Sequence, residues 1–129
     1  MSMASDDTAT IIFSGDLLEA DVSTFRDALA QGKKVIWQFH TTHEHKKLKI
    51  LLDMRAFTGN YCSEAVELLT DFARENTPFV EKTASFGGSD TVKMVGETVT
   101  ALAHRNNIRI FDTQEDATTW LETKDNLHT

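Results

Sequence analysis

The sequence predicts an α/β domain of four strand–helix units, a (βα)4 arrangement built on a mainly parallel four-stranded sheet with helices mostly on one face. Three observations lead there. Short apolar runs alternate four times with stretches of helical period, which is the pattern of parallel strands joined by crossover helices. Polar residues interrupt those runs at Lys49, Asp53, Thr83, Ser85 and Arg109, whereas strands buried on both faces read as unbroken apolar runs. A chain of 129 residues, 40% apolar and 26% charged, suits one soluble core.

The elements follow in order. Thr8 to Ser14 reads as the first strand, with Ile11, Ile12 and Phe13 apolar and Ser14-Gly15-Asp16 ending it. From about Leu17 a helix is expected. Val22, Phe25, Leu29, Gly32, Ile36 and Phe39 recur at three- and four-residue spacing on one stripe that reaches His40. The rival reading makes Lys34–Thr41 a strand, because Val, Ile, Trp, Phe and Thr favour one; the long helix is preferred. Thr41 to Lys47 reads as a polar loop.

Leu48 to Met54 is the second strand, with Leu48, Ile50, Leu52 and Met54 on one face. Ser63 is the expected N-cap of the next helix, whose inner stripe is Val66, Leu69, Phe72 and Ala73. Asn76-Thr77-Pro78 ends it. The third strand centres on Thr83 to Phe86, and Gly87-Gly88-Ser89-Asp90 breaks it. Asp90 is the expected cap of a helix marked by Val92, Val95, Val99 and Leu102. Asn106-Asn107 turns the chain into a fourth strand, Ile108–Phe111, and Thr113 opens a last helix with Ala117, Trp120 and Leu121 inward. One domain over 8–123 is expected, with 1–7 and 124–129 as flexible termini.

Charge and composition exclude several functions. A formal net charge of −7 argues against a nucleic-acid partner, which needs a basic face. No apolar run approaches the ~20 residues of a membrane span, and the polar, acidic start is no secretory signal. The single cysteine, Cys62, suits a reducing cytoplasm.

Ile12-Phe13-Ser14-Gly15-Asp16-Leu17 with Phe25 and Ala28-Leu29 resembles the opening strand and helix of STAS domains. Ile50-Leu51-Leu52-Asp53-Met54 with Thr58 and Ser63 resembles that family's next strand and its turn into the second helix. Asp112-Thr113 through Ala117 and Trp120-Leu121 resembles the closing unit of the SpoIIAA-like branch. The resemblance runs from about Thr10 to Leu121. It implies a superhelix of (βα) units with strands in sequential order and a non-enzymatic, cofactor-free regulatory module of the anti-sigma factor antagonist kind. Its partner would be a protein, such as an anti-sigma factor or a kinase, or a small ligand. In those antagonists a serine in an Asp-Ser-Ser/Thr-Gly turn is phosphorylated. Here the matching stretch is Tyr61-Cys62-Ser63-Glu64; Ser63 alone is retained, and Glu64 would repel a phosphate. CRAL-TRIO-like lipid-binding domains resemble the same architecture. A carrier of that kind requires a cavity beneath the first helix, lined by residues such as Phe25, Leu29 and Ile36.

The candidate regulatory or ligand-binding turn therefore comprises Thr58, Gly59, Tyr61, Cys62, Ser63, Gly87, Gly88 and Ser89. Both segments lie between a strand's carboxyl end and a helix N-terminus, where ligands of open α/β sheets bind and free N–H groups favour anions. Two ordinary capped helices with glycine-eased turns are the competing reading. His40, His43 and His45 have a spacing that metal ligands use, but without cysteine or an i, i+4 pair they read as a solvated loop. Cys62 with His104 or a loop histidine is a weak nucleophile–base pair beside its reading as a small buried hydrophobe. Asp53 and Arg55 read as a tie at the strand end, and Trp37 and Phe39 as core or interface anchors, with a homodimer the expected self-association.

Overall fold

The computed structural model describes residues 2–3, 7–43 and 46–123. Its sheet has five strands in sequential order: β1 (Ser2–Met3), β2 (Thr8–Leu17), β3 (Leu48–Tyr61), β4 (Val80–Phe86) and β5 (Ile108–Phe111). The four longer strands are parallel, as expected, and β1 adds a short antiparallel edge to β2 within the segment read as a terminal tail. Four helices follow the four parallel strands: α1 (Val22–Thr42), α2 (Ser63–Glu75), α3 (Asp90–Leu102) and α4 (Gln114–Glu122).

Topology dictates the layering. Parallel strands laid down in order and joined by right-handed crossovers must carry every connecting helix on the same face, so α1, α2 and α3 share one. α4 follows the last strand, connects to nothing within the sheet and is free to cover the opposite face. There Ala117 and Leu121 pack on Leu51, Ala84 and Phe86. Lys82, itself buried, donates from Nζ to the carbonyls of Trp120 (3.0 Å) and Thr123 (2.6 Å), capping the negative end of α4.

Several boundaries differ from the expected ones, each for a reason outside local sequence. β2 runs to Leu17 and β3 to Tyr61 because they continue to pair with each other after β4 has ended at Phe86, through register shifts after Ile12 and after Gly15. The first helix therefore starts at Val22, not near Leu17, after a 3-10 turn at Glu19–Asp21. It continues to Thr42, which settles Lys34–Thr41 as helix and shortens the expected loop. Gly32 sits where α1 crosses α2: a Cβ there would meet the Phe72 ring at 3.4 Å. The caps shift by one residue. Cys62, in extended conformation, is the N-cap of α2, so Ser63 is the first helical residue; Ser89 rather than Asp90 caps α3, its Oγ accepting from Val92 N at 3.3 Å.

On the three-helix face the core divides in two. At the amino ends of the strands, Ala9, Ile36, Phe39, Leu48, Ile50 and Val80 form one buried cluster. Toward their carboxyl ends, Leu17, Phe57, Ala65 and Val92 form another, with Phe25 packed edge-on against Phe13 at 6.1 Å. α1 touches both but buries residues only near its ends, Val22 at one and Ile36 and Phe39 at the other. Leu29 and Val35 between them are half-buried, belong to neither cluster and line a cavity. Deleting a fully packed aliphatic side chain costs about 3 kcal/mol, whereas a side chain beside empty space has few contacts to lose. Ile36→Ala is accordingly expected to lower unfolding stability by about 3 kcal/mol and Leu29→Ala, two turns earlier on the same helical stripe, by under about 1 kcal/mol, as read from denaturant midpoints. Equal losses would show that α1 packs uniformly.

Candidate functional site

Parallel strands and the helices after them bring the two turn segments to the carboxyl edge of the sheet. Gly59, at φ +94°, lies against Ser89, Thr91 and Val92, so the segments meet. Thr58 donates from Oγ1 to the Gly15 carbonyl at 3.0 Å and to the Asp16 carboxylate, which also accepts from Asn60 Nδ2 at 2.9 Å. These two hydrogen bonds, Thr58 first, hold the Asp16 carboxyl below the usual range. Thr58 is thus occupied in latching the β2–β3 extension. Cys62 is half-buried, and its backbone N–H donates to the Leu17 carbonyl at 2.8 Å. Tyr61 and Ser63 are exposed and line a shallow groove with Val66, Met94 and Val95 between α2 and α3.

What approaches Gly87 and Gly88 is the protein itself. A Cβ on Gly87, at φ +79°, would overlap Arg55 Cγ, and one on Gly88 would stand 2.6 Å from Val92 Cγ1. Arg55 is held there by Asp53: its Nε and Nη2 donate to the two carboxylate oxygens at 3.0 and 2.8 Å, and its backbone N–H adds a third bond at 3.1 Å. The guanidinium lies over the Phe86 ring. Asp53 and Arg55 therefore form the expected tie, but within β3 rather than at its end, beside the point where β4 stops at Phe86. The Arg55 side-chain hydrogen bonds hold the buried Asp53 carboxyl below the ordinary range, against a desolvation that opposes them.

The chemical sets considered from sequence are dispersed. Cys62 sits at the carboxyl edge, but His104 follows the far end of α3, a helix of 13 residues and so about 20 Å long. His40 belongs to α1 and stacks edge-on to Phe79 at 4.9 Å; His43 closes the same helix and stacks on Phe39 at 4.1 Å. His45 lies outside the described residues. Among the described residues no group of three or more His, Cys, Asp or Glu is placed to hold a metal ion, and no helix is long and apolar enough to cross a membrane. Trp37 is half-exposed and packs edge-on to Phe79, while Phe39 is buried.

A cavity between α1, α2, α3 and the sheet has a volume of about 820 Å³. It falls within the ~300–1,000 Å³ of small-molecule sites. Leu29, Leu52, Met54, Phe72 and Val99 give it an apolar wall, and Gly15, Asp16 and Gly88 mark where it reaches the carboxyl edge. Phe25 and Leu29 line it as a carrier would require, but Ile36 does not: it is fully buried in the amino-end cluster. The opposite end holds Asn76, Thr83, Thr100 and Arg105.

A family model for SpoIIAA-like proteins matches residues 8–122, every parallel strand and every helix of the sheet domain. The chain belongs to the SpoIIAA-like family. No curated protein shows significant similarity to it. This SpoIIAA-like chain has the STAS-type architecture that its sequence resemblance implied, with the sequential parallel sheet and the serine-bearing start of α2. Arg105 lines the cavity without a signal in the sequence, since an arginine before Asn106-Asn107 reads as part of a solvated turn.

The Asp53–Arg55 tie has a pH signature. A carboxyl whose folded value is depressed stabilises the fold above its ordinary range, near ~4, and this contribution disappears as pH falls through the depressed value. Asp53→Asn is expected to lower the urea midpoint at pH 7, with the gap from the parent chain closing below about pH 4. A gap independent of pH would assign the loss to packing instead.

Proposed function

We propose that this SpoIIAA-like chain is a non-enzymatic regulatory binding module whose ligand is a small, largely apolar molecule held in the cavity beneath α1. The observation that supports the reading is the division of the three-helix core into two clusters with about 820 Å³ between them. A packed interior has few voids larger than a water molecule, and a helix bridging two clusters over an apolar gap forgoes dispersion contacts that a ligand would restore. The ligand reaches the carboxyl edge, where Asp16 and Gly88 border the cavity. Binding there would couple α1 to the β2–β3 extension and to the α2–α3 groove, the surfaces available to a partner.

Native mass spectrometry of the purified chain is expected to show a small-molecule adduct, or uptake of added dodecanol, that is lost on denaturation. Leu52→Trp, which places an indole in the cavity, should abolish both. A bare mass with no uptake would contradict the reading.

A second reading, protein recognition of the kind found in anti-sigma factor antagonists, is favoured by the groove in which Ser63 lies beside exposed Tyr61 and Met94. The neighbouring Glu64 carboxylate lies outside the groove lining and is paired with Arg26 at 2.9 Å between α1 and α2. Phosphorylation of Ser63 by a serine kinase that recognises STAS-type domains would support it, seen as an 80 Da gain in the Ser63 peptide that Ser63→Ala removes; absence of that gain would remove the phospho-switch.

A further inference from the structure

Arg105 carries the only buried guanidinium among the described residues, and it is 8% exposed. Burying a charge is costly unless it is paired, and no carboxylate lies within ion-pair distance of it among the described residues. Its two bonds are to neutral groups: Nε donates to Asn107 Oδ1 at 2.9 Å and Nη2 to Thr83 Oγ1 at 3.3 Å. A guanidinium has five N–H donors in a planar fork, so Nη1 and one Nη2 hydrogen remain for another acceptor. Desolvation pushes its pKa down to about 10, which still leaves it fully charged at neutral pH.

The position of this charge is informative. Thr83, to which Arg105 donates, faces the cavity from β4 together with Ser85, and Arg105, Thr100 and Asn76 line the same region. Lys93 is the other cation on the cavity wall. It stands at the opposite, carboxyl-edge end, where it is paired with Asp112. The cavity therefore offers one uncompensated positive charge at its amino-edge end and an apolar wall from there to Met54 and Leu52. One guanidinium matches one negative charge and two oxygens in a bidentate pair. A dianionic phosphate would remain half-neutralised in that setting.

We infer that the cavity binds a single-chain aliphatic carboxylate, head down, with its carboxylate against Arg105 and its tail running toward the carboxyl edge beneath α1. The inference rests on the reading of the cavity as a ligand site and adds the ligand's chemical class and orientation. Asn107 and Thr83 orient the guanidinium by taking its Nε and one Nη2 hydrogen. The unused fork faces the acid, and Ser85 supplies a hydroxyl on the same cavity wall, while the Thr100 hydroxyl donates to the Gly96 carbonyl at 2.7 Å.

The test compares dodecanoate with dodecanol, two probes of equal chain length that differ in the head group, by calorimetric titration at pH 8 and below micellar concentrations. A hydrogen bond to a charged group in a dry site is worth enough to give dodecanoate about tenfold tighter binding or more. Arg105→Gln is expected to remove that preference while leaving dodecanol affinity within about twofold, and Arg105→Lys to keep part of it. Equal binding of acid and alcohol by the unmodified chain would overturn the role of Arg105 and leave the cavity reading standing. Binding of neither would overturn both. Because the acid–alcohol ratio is measured on the unmodified chain, and Arg105→Lys retains the charge, the outcome does not depend on Arg105→Gln folding.

Discussion

Every functional feature of this domain depends on how α1 is held over the sheet. Val22 fixes one end, Ile36 and Phe39 the other, and the intervening half-buried stripe faces the cavity. The arrangement follows from topology. Sequential parallel strands force three crossover helices onto one face, and α1, at 21 residues, is about 32 Å long, close to the length of the ten-residue β2. A straight rod supported at both ends over a twisted surface need not touch it in the middle. Phe72, from α2, fills part of the gap where Gly32 lets the helices approach.

The carboxyl edge, where open α/β sheets usually bind ligands, is constructed differently. Its glycines accommodate Arg55 and Val92, its Thr58 and Asn60 secure Asp16, and its Ser89 caps α3. These contacts occupy the edge. The apolar space lies instead behind it. Ser63 and Tyr61 stand on the α2–α3 groove, so the proposed function would use that groove as the surface for a partner and the space beneath α1 as the interior for a ligand.

Much of this was legible in the residues, and the failures have a common cause. The four-fold alternation of apolar runs and helical stripes specified the parallel sheet, but the polar interruptions misled: they predicted a face left open by the helices, whereas Thr83 and Ser85 face the cavity on the three-helix side and α4 covers the other. The stripe Val22, Phe25, Leu29, Gly32, Ile36 and Phe39 correctly named a helical face, but periodicity cannot distinguish a face pressed on a sheet from one over a void. The extension of β3 to Tyr61 was hidden because its pairing partner, Gly15 to Leu17, is some forty residues away and Gly59-Asn60 reads locally as a turn. The caps moved by one residue where two suitable side chains adjoin. Arg105 was hidden by distance as well: it follows α3 and reaches Thr83 of β4, 22 residues earlier in the chain, and nothing in Arg-Asn-Asn announces it.

The central claim, that the three-helix face encloses an apolar cavity beneath α1, is tested most directly by a crystal structure of the chain under xenon pressure, since dry apolar cavities take up xenon. The account predicts xenon density bounded by Leu29, Leu52 and Phe72, with α1 packed only at its ends. Density absent from that space, with Leu29 and Val35 seated against the sheet, would contradict it.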